Sequence, residues 1–175
     1  RVKEDVMADL PEKIEDTVMA QLTGEQRKLY LANQDRIAQQ VQHREAGEFK
    51  KDKLKVLAEL TKLRQICCDP HLHYADYKAG SAKLDTCMEL VHGALDGGHR
   101  ILLFSQFTGM LDIIGKRLAK EDIAFLKLTG ASSKESRAKM VAQFQAGEVP
   151  VFLISLKAGG SGLNLVGADT VIHFD

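Results

Sequence analysis

The chain has 175 residues, 45% of them hydrophobic, which is enough for one domain with a real core, alone or with a helical appendage. Its 24 Lys and Arg residues balance 24 Asp and Glu residues, with 14 of each sign in residues 1–80 and 10 of each in residues 81–175. This balance excludes a strongly basic half. Any nucleic-acid contact therefore has to come from locally placed N–H groups, hydroxyls and a few lysines.

Three cysteines do not make a disulfide framework, and no apolar run is long enough to span a bilayer. Because no signal-like amino end is present either, we expect an intracellular, reducing location and no membrane partner. That location is the cytoplasm or nucleoid in a bacterium and the nucleus in a eukaryote. The chain begins at Arg1 without Met and stops at Asp175 directly after an apolar run, so we expect a fragment of a longer protein.

The first predicted helix follows an irregular segment, residues 1–21. Thr23 to Gln26 has the pattern of a capping box, in which each side chain accepts a hydrogen bond from the other residue's backbone N–H, and the helix is predicted to continue to about Val41. Residues 43–53 are polar and predict a solvated connection.

A second predicted helix begins at Leu54 and ends before Pro70, which cannot continue it. Its apolar residues are spaced i, i+4, i+7 and i+11 and share one face: Val56, Leu60, Leu63 and Cys67.

Helices and strands alternate in the rest of the chain. Short runs that are apolar on both faces predict four strands, at residues 101–104, 125–128, 151–154 and 170–174. One-sided apolar spacing predicts helices at residues 84–95 and 107–118, and a capping box at Ser132 to Glu135 opens another that runs to Gly147. This alternation predicts an α/β fold, a parallel sheet with helices on both faces.

Polar residues follow the predicted strands, at positions that meet at one edge of a parallel sheet. They are Ser105 and Gln106, Thr129 and Gly130, Ser155 and Lys157, and Asp175. Hydroxyls, amides and exposed backbone N–H groups suit an elongated, regularly charged ligand such as a phosphate backbone. The alternative is that the Ser and Thr side chains only cap the helices that follow.

The glycine-rich loop after the third strand matches none of three known site patterns. No Lys followed by Ser or Thr comes after Gly159, Gly160 and Gly162, so the phosphate-binding loop of nucleoside triphosphatases is absent from this chain. The glycine pattern of dinucleotide-binding proteins belongs after the first strand of its unit, whereas this loop follows the third strand. Ser161 lacks the Gly-x-Ser-x-Gly frame of a hydrolase nucleophile.

A zinc site is a further alternative for five residues that lie in or near the second and third helices: Cys67, Cys68, His71, His73 and Cys87. Adjacent cysteines on a helix point about 100° apart, which does not suit one ion. Buried thiols are the favoured interpretation, and we predict no metal site.

Several stretches resemble a known family in both their residues and their spacing. They are Ile101-Leu-Leu-Phe-Ser-Gln-Phe-Thr, Leu128-Thr-Gly, Ile154-Ser-Leu-Lys-Ala-Gly-Gly-Ser-Gly-Leu-Asn-Leu and Ala168-Asp-Thr-Val-Ile-His-Phe-Asp, with Leu10-Pro-Glu-Lys, the start of the first helix and Leu63-Arg-Gln-Ile-Cys-Cys-Asp-Pro upstream. Together they resemble the second RecA-like lobe of the SWI/SNF-type DNA-dependent ATPases of helicase superfamily two. The chain departs from the family at Ala82 of Ser-Ala-Lys, where Gly is common, and at Asp69 before Pro70, where His is common.

The resemblance implies a RecA-like α/β lobe at residues 79–175, preceded by a helical extension at residues 1–78 that leads to a first lobe. The extension is either a docking arm or a DNA-facing protrusion, and its balanced charge does not decide between them. The implied function is the second motor lobe of an ATP-dependent double-stranded DNA translocase, acting on DNA or on a protein–DNA complex. The alternative function is a nucleotide or nucleic-acid binding module without hydrolysis. A third is a small α/β enzyme that uses Ser155 or Ser161 chemically.

The resemblance also implies site residues. The implied DNA contacts are Ser105, Gln106, Thr129, Gly130, Ser155 and Lys157. The residues implied to lie beside ATP are Gly160, Gly162 and Asn164, with ATP and Mg²⁺ held mainly by the first lobe. The chain stops before the arginine-bearing motif VI, so we expect no catalytic residue in this fragment and no ATP hydrolysis by it.

Overall fold

The computed structural model of the protein describes residues 13–42, 49–160 and 162–175. Parts of three predictions fall outside these ranges: the irregular segment at residues 1–12, the polar connection at residues 43–48, and Ser161 of the glycine-rich loop. No helix among the described residues is both long enough and apolar enough to cross a membrane.

The described residues form α-helices and β-strands that alternate from residue 82 onward. The helices are α1 (Gly24–Gln42), α2 (Phe49–Cys68), α3 (Ala82–Asp96), α4 (Thr108–Lys120), α5 (Lys134–Gln145) and α6 (Leu156–Gly159), with a 3-10 helix at Pro70–Leu72. The strands are β1 (Ile101–Ser105), β2 (Phe125–Leu128), β3 (Val151–Ser155) and β4 (Thr170–His173). The predicted α/β fold is confirmed.

The four strands form one parallel sheet in the order β2-β3-β1-β4. β1 and β3 are the central pair, and Ser105 of β1 lies opposite Ser155 of β3 in the register. Because all strands point the same way, their carboxyl ends meet at one edge, and this edge carries the predicted site residues.

Alternate residues of the central strands pack into two hydrophobic cores, one on each face of the sheet. Ile101 and Leu103 point to the face covered by α3 and α4, and Leu102 and Phe104 point to the face covered by α5. β3 alternates in the same way. Strands buried on both faces need helices on both sides, and the structure confirms this prediction.

Two polar side chains join the end of α2 to the start of α3. Pro70 has no N–H, so the carbonyl of Ile66 has no partner in the next turn. Gln26 of α1 supplies one, since its side-chain Nε2 donates to Ile66 O at 2.9 Å and lies 3.4 Å from Cys67 O. Its Oε1 accepts from the N–H of Ala82, the first residue of α3, at 3.1 Å.

Ser81 acts on the same two helix ends. Its hydroxyl donates to Cys68 O at 2.6 Å and accepts from the N–H of Leu84 at 3.3 Å, which makes it the N-cap of α3. Gln26 and Ser81 are both buried. The helical part and the sheet are therefore joined by satisfied backbone groups as well as by apolar contact.

Three local predictions are wrong. Gln26 does not reach back to Thr23, because its side chain is bonded to the ends of α2 and α3. The N-cap of α5 is Ser133, one residue later than predicted, since Ser132 instead accepts from the N–H of Thr129. α2 begins at Phe49, so the end of the predicted polar connection is helical.

The predicted face of α2 is also partly wrong. Leu63 is buried as predicted, but Leu60 is 47% exposed and Cys67 is only half-buried. Ile66 and Cys68 are buried instead. The buried face turns at the end of α2 because the helix is covered there by both Gln26 and the start of α3.

Candidate functional site

A pocket of 360 Å³ lies at the carboxyl edge of the sheet. Its lining comes from the ends of three strands and from the first turn and a half of α4: Gln106, Thr108, Asp112, Lys127, Thr129, Gly130, Ala131, Ser155 and Lys157. Five of the six residues implied to contact DNA line it, and Ser105 does not. Residues far apart in the chain thus form one continuous surface of amide, hydroxyl, glycine and lysine groups.

The two serines at the strand ends are buried, and their hydroxyls are bonded within the chain. Ser155 accepts from the N–H of Ala158 at 3.4 Å and is the N-cap of α6. Ser105 accepts from the N–H of Phe107 at 3.1 Å and donates to a carboxylate oxygen of Asp175. The capping interpretation describes Ser155, whereas Ser105 bonds to the turn before α4, a helix that begins without a side-chain cap. Of the two serines, only Ser155 also lines the pocket.

Asp175 fixes the turn that follows β1. Besides the bond from Ser105, its carboxylate accepts from the backbone N–H of Gln106 at 2.9 Å. The side chain of Gln106 is exposed and lines the pocket. Asp175 therefore holds the backbone from which the Gln106 amide is presented.

The charged residues of the pocket differ in their pairing. Lys127 of β2 is bonded to Asp112 of α4, so their charges offset each other. Lys157 of α6 is exposed, and no ion pair joins it to any residue in the described parts of the chain. Lys157 is thus the lining residue whose positive charge is left for a ligand.

The residues implied to lie beside ATP are in the loop after α6, and none of them lines the pocket. Gly160 ends α6, and its N–H donates to Leu156 O at 3.3 Å. The carbonyl of Asn164 accepts from the side chain of Gln145 at 2.8 Å, which ties the loop to the end of α5. The side chain of Asn164 is exposed.

The loop glycines differ in what their backbone requires. Gly162 has φ +65°, a left-handed conformation, whereas Gly160 has φ −69° and an added Cβ would meet nothing nearer than 3.8 Å. We expect Gly162→Ala to lower the free energy of unfolding by about 1 kcal/mol and Gly160→Ala to leave it nearly unchanged. Urea denaturation of the two variants checks this, and equal midpoints would contradict it.

Two of the three cysteines are core residues, and Cys67 is half-buried. Cys68 and Cys87 are buried, and burial raises the pKa of each thiol to about 12, which keeps both protonated at neutral pH. Nδ1 of His71 is 2.7 Å from a carboxylate oxygen of Asp69. In the described residues, no three His, Cys, Asp or Glu side chains are placed to hold a metal ion.

Sequence reasoning missed four lining residues: Thr108, Asp112, Lys127 and Ala131. Thr108 and Asp112 are one turn apart at the start of α4, the helix that leaves the site edge. Their i, i+4 spacing places them on one face of the helix and could have indicated that both reach the site. Lys127 is the single charged residue in the apolar run of β2, a position where a strand prediction expects none.

Two sequence families match the chain. Residues 82–175 match the helicase conserved C-terminal domain, and residues 1–72 match the SNF2-related domain. A relative in Bacillus subtilis, the putative ATP-dependent helicase/translocase YwqA, is 34% identical over 98% of this chain. The chain spans less than a fifth of the length of the curated relatives that it matches, and 19% of YwqA.

Solved structures from Sulfolobus solfataricus share the fold. The SWI2/SNF2 ATPase C-terminal domain superposes with a TM-score of 0.84 at 35% identity, covering 94% of this chain and 72% of that one. The SWI2/SNF2 ATPase core in complex with double-stranded DNA gives 0.85 at 33% identity, covering 99% of this chain and 37% of that one. The RecA-like arrangement of the sheet, the two family matches and these structures show that the chain belongs to the SWI/SNF-type ATPases of helicase superfamily two, as their carboxyl-terminal helicase lobe.

Proposed function

We propose that this chain is the second motor lobe of an ATP-dependent double-stranded DNA translocase and that its strand-end pocket binds the phosphate backbone of one DNA strand. The observation that carries the proposal is that one pocket collects an amide, hydroxyls, a glycine backbone and an unpaired lysine from three separate strand ends. The Sulfolobus core that is similar to this chain was solved with double-stranded DNA, which supports the same class of ligand.

The lining groups suit phosphate and sugar rather than base edges. Gln106, Thr129 and the N–H of Gly130 offer hydrogen-bond donors, and Lys157 adds one positive charge. Ser105 has a supporting role, since its hydroxyl fixes the turn that carries Gln106. Such contacts position a duplex without reading its sequence, as a translocase that moves along DNA requires.

ATP is proposed to lie on the other side of α6, between this lobe and a first RecA-like lobe of the same polypeptide. Gly160, Gly162 and Asn164 would close over nucleotide and Mg²⁺ held mainly by that first lobe. The chain lacks the Gly-rich loop with Lys and Ser or Thr that cradles phosphates, and its described residues form no carboxylate cluster for a metal. We therefore propose that hydrolysis requires groups outside these 175 residues.

α6 connects the two proposed contacts. It spans four residues, with Ser155 at the pocket as its N-cap and Gly160 as its C-cap. Because only four residues separate Ser155 from Gly160, a shift of one end of α6 would displace the other end as well. We propose that this segment couples closure on ATP to the grip on DNA.

Replacing Lys157 by Ala tests the proposed DNA contact. We expect K157A to bind a duplex about 5- to 10-fold more weakly at low salt, equally for unrelated sequences, and to lower the slope of log K against log[salt] by about 0.9, because one fewer phosphate is neutralised. Fluorescence anisotropy of labelled duplexes at several salt concentrations measures both quantities.

Lys120→Ala is the matched control. Lys120 is an exposed lysine at the last residue of α4, the end away from the strand-end pocket, so K120A removes the same charge without touching the pocket. The proposal fails if K157A and K120A have the same affinity and salt slope.

A further inference from the structure

We infer that Arg64 of α2 binds the nucleic-acid phosphate backbone beside Gln106, so that the helical part and the sheet edge form one composite interface. The inference deepens the proposed function and rests on it. It also chooses between the two interpretations of the helical part, a docking arm or a DNA-facing protrusion, since it gives α2 a direct contact with DNA.

Arg64 reaches the site edge from a neighbouring element. Its Nη1 lies 3.4 Å from Oε1 of Gln106, a residue that lines the pocket, and its guanidinium carbon is 5.9 Å from the centre of the Phe107 ring. The guanidinium is exposed, and Gln106 uses at most one of its five donors. The remaining donors are free for a ligand at the rim of the pocket.

The groups that hold Arg64 are themselves fixed. The backbone N–H of Gln106 donates to Asp175, and the N–H of Phe107 donates to the buried Ser105 hydroxyl. On its own helix, Arg64 follows Leu63, which is buried in the core. The side chain is therefore supported from both ends, which lowers the entropy lost when its donors bind.

The charge of Arg64 is uncompensated. Its partners, an amide oxygen and an aromatic ring, are neutral, and no carboxylate among the described residues lies within ion-pair distance of it. In the pocket, Lys127 is offset by Asp112, which leaves Lys157. In a chain of zero net charge, a second unpaired cation at the rim allows a second phosphate to be neutralised.

A guanidinium suits a phosphate backbone better than the compact ammonium group of Lys does. Its planar donors match two oxygens of one phosphate. Phosphates recur along a strand, and Arg64 and Lys157 both border the pocket that Gln106 lines, so they can bind different phosphates of the same backbone. The occupant we propose is the DNA strand that the pocket binds.

The test compares Arg64→Ala with Lys62→Ala in duplex binding by the 175-residue chain. Lys62 is on the same helix, about 200° around it, and its Nζ lies over the ring of Tyr74, so K62A removes the same charge from a different face. We expect R64A to weaken duplex binding about 5- to 10-fold at low salt and to lower the salt slope by about 0.9, and K62A to leave the slope unchanged. R64K is expected to restore the slope but only part of the affinity. Lys keeps the positive charge but lacks the planar guanidinium that binds two phosphate oxygens at once.

The outcomes separate this inference from the proposed function. If K157A weakens binding while R64A matches K62A, the inference is overturned and the proposed function stands. If R64A and K157A both bind as the unaltered chain does, both are overturned. Thermal unfolding of R64A shows whether it is folded, and loss of the salt slope in a folded R64A with recovery in R64K supports the inference.

Discussion

Phe144→Ala is expected to lower the free energy of unfolding by about 3–5 kcal/mol, the range for an aromatic ring removed from a core. Phe144 is fully buried on the α5 face of the sheet, with its ring centre 5.3 Å from that of Phe152. The guanidinium of Arg100 lies over the same ring, 4.3 Å from its centre, and donates to the carbonyl of Phe144. The substitution therefore opens a cavity and removes the aromatic ring that shields the Arg100 guanidinium from water.

The shielding by the Phe144 ring matters because the Arg100 side chain does not have all of its hydrogen bonds. Its Nε is buried without a hydrogen-bond partner. Loss of the ring would give water access to this group, which recovers part of the cost of the cavity. We therefore expect a value nearer to 3 than to 5 kcal/mol.

Urea denaturation followed by circular dichroism measures the loss, with two comparison variants. Val171→Ala removes apolar atoms from a residue that is 53% exposed on β4 and is expected to cost under about 0.5 kcal/mol. Phe144→Leu keeps most of the apolar volume and is expected to fall between the two, so the series remains informative if F144A is unfolded. An F144A midpoint equal to that of V171A would contradict the assignment of Phe144 as a core anchor.

Local periodicity was sufficient to predict the sheet and its two covering layers. The buried residues of α3, Leu84, Cys87, Met88 and Val91, are those that the spacing selected, and β2 has the predicted bounds. These elements are predictable because burial of an apolar face decides both their type and their orientation. Prediction was weaker in α2, whose buried face depends on Gln26, 40 positions from Ile66, and on Ser81, 13 positions from Cys68.

The candidate site was predictable as a set of strand ends but not in its bonding. Ser105 was expected to face a ligand, yet its hydroxyl is taken by Asp175, 70 residues later in the chain. Lys127 was missed because nothing next to it in the sequence shows its partner. That partner, Asp112, belongs to the preceding helix. A single sequence shows which groups reach an edge, whereas their pairing depends on three-dimensional contacts between distant residues.

Gln26→Ala is the second large effect, with an expected loss of about 2–4 kcal/mol in the free energy of unfolding. The variant removes the donor to Ile66 O and the acceptor for Ala82 N, and each buried backbone group left without a partner costs about 1–3 kcal/mol. Pro70 prevents the helix from replacing the first of these bonds. Urea denaturation measures the loss, and Gln34→Ala, at an exposed position of the same helix, is the control, with an expected cost under about 0.5 kcal/mol.

The Gln26 bonds also bear on the site, because the end of α2 that they hold is the end that carries Arg64. In Q26A we expect amide hydrogen exchange to rise at the last turn of α2 and the first turn of α3, while the central strands stay protected. Faster exchange at these helix ends together with weaker duplex binding would mean that Gln26 sets the position of Arg64 as well as the stability of the joint. If Q26A and Q34A unfold and exchange alike, the amide does not hold the helical part to the lobe.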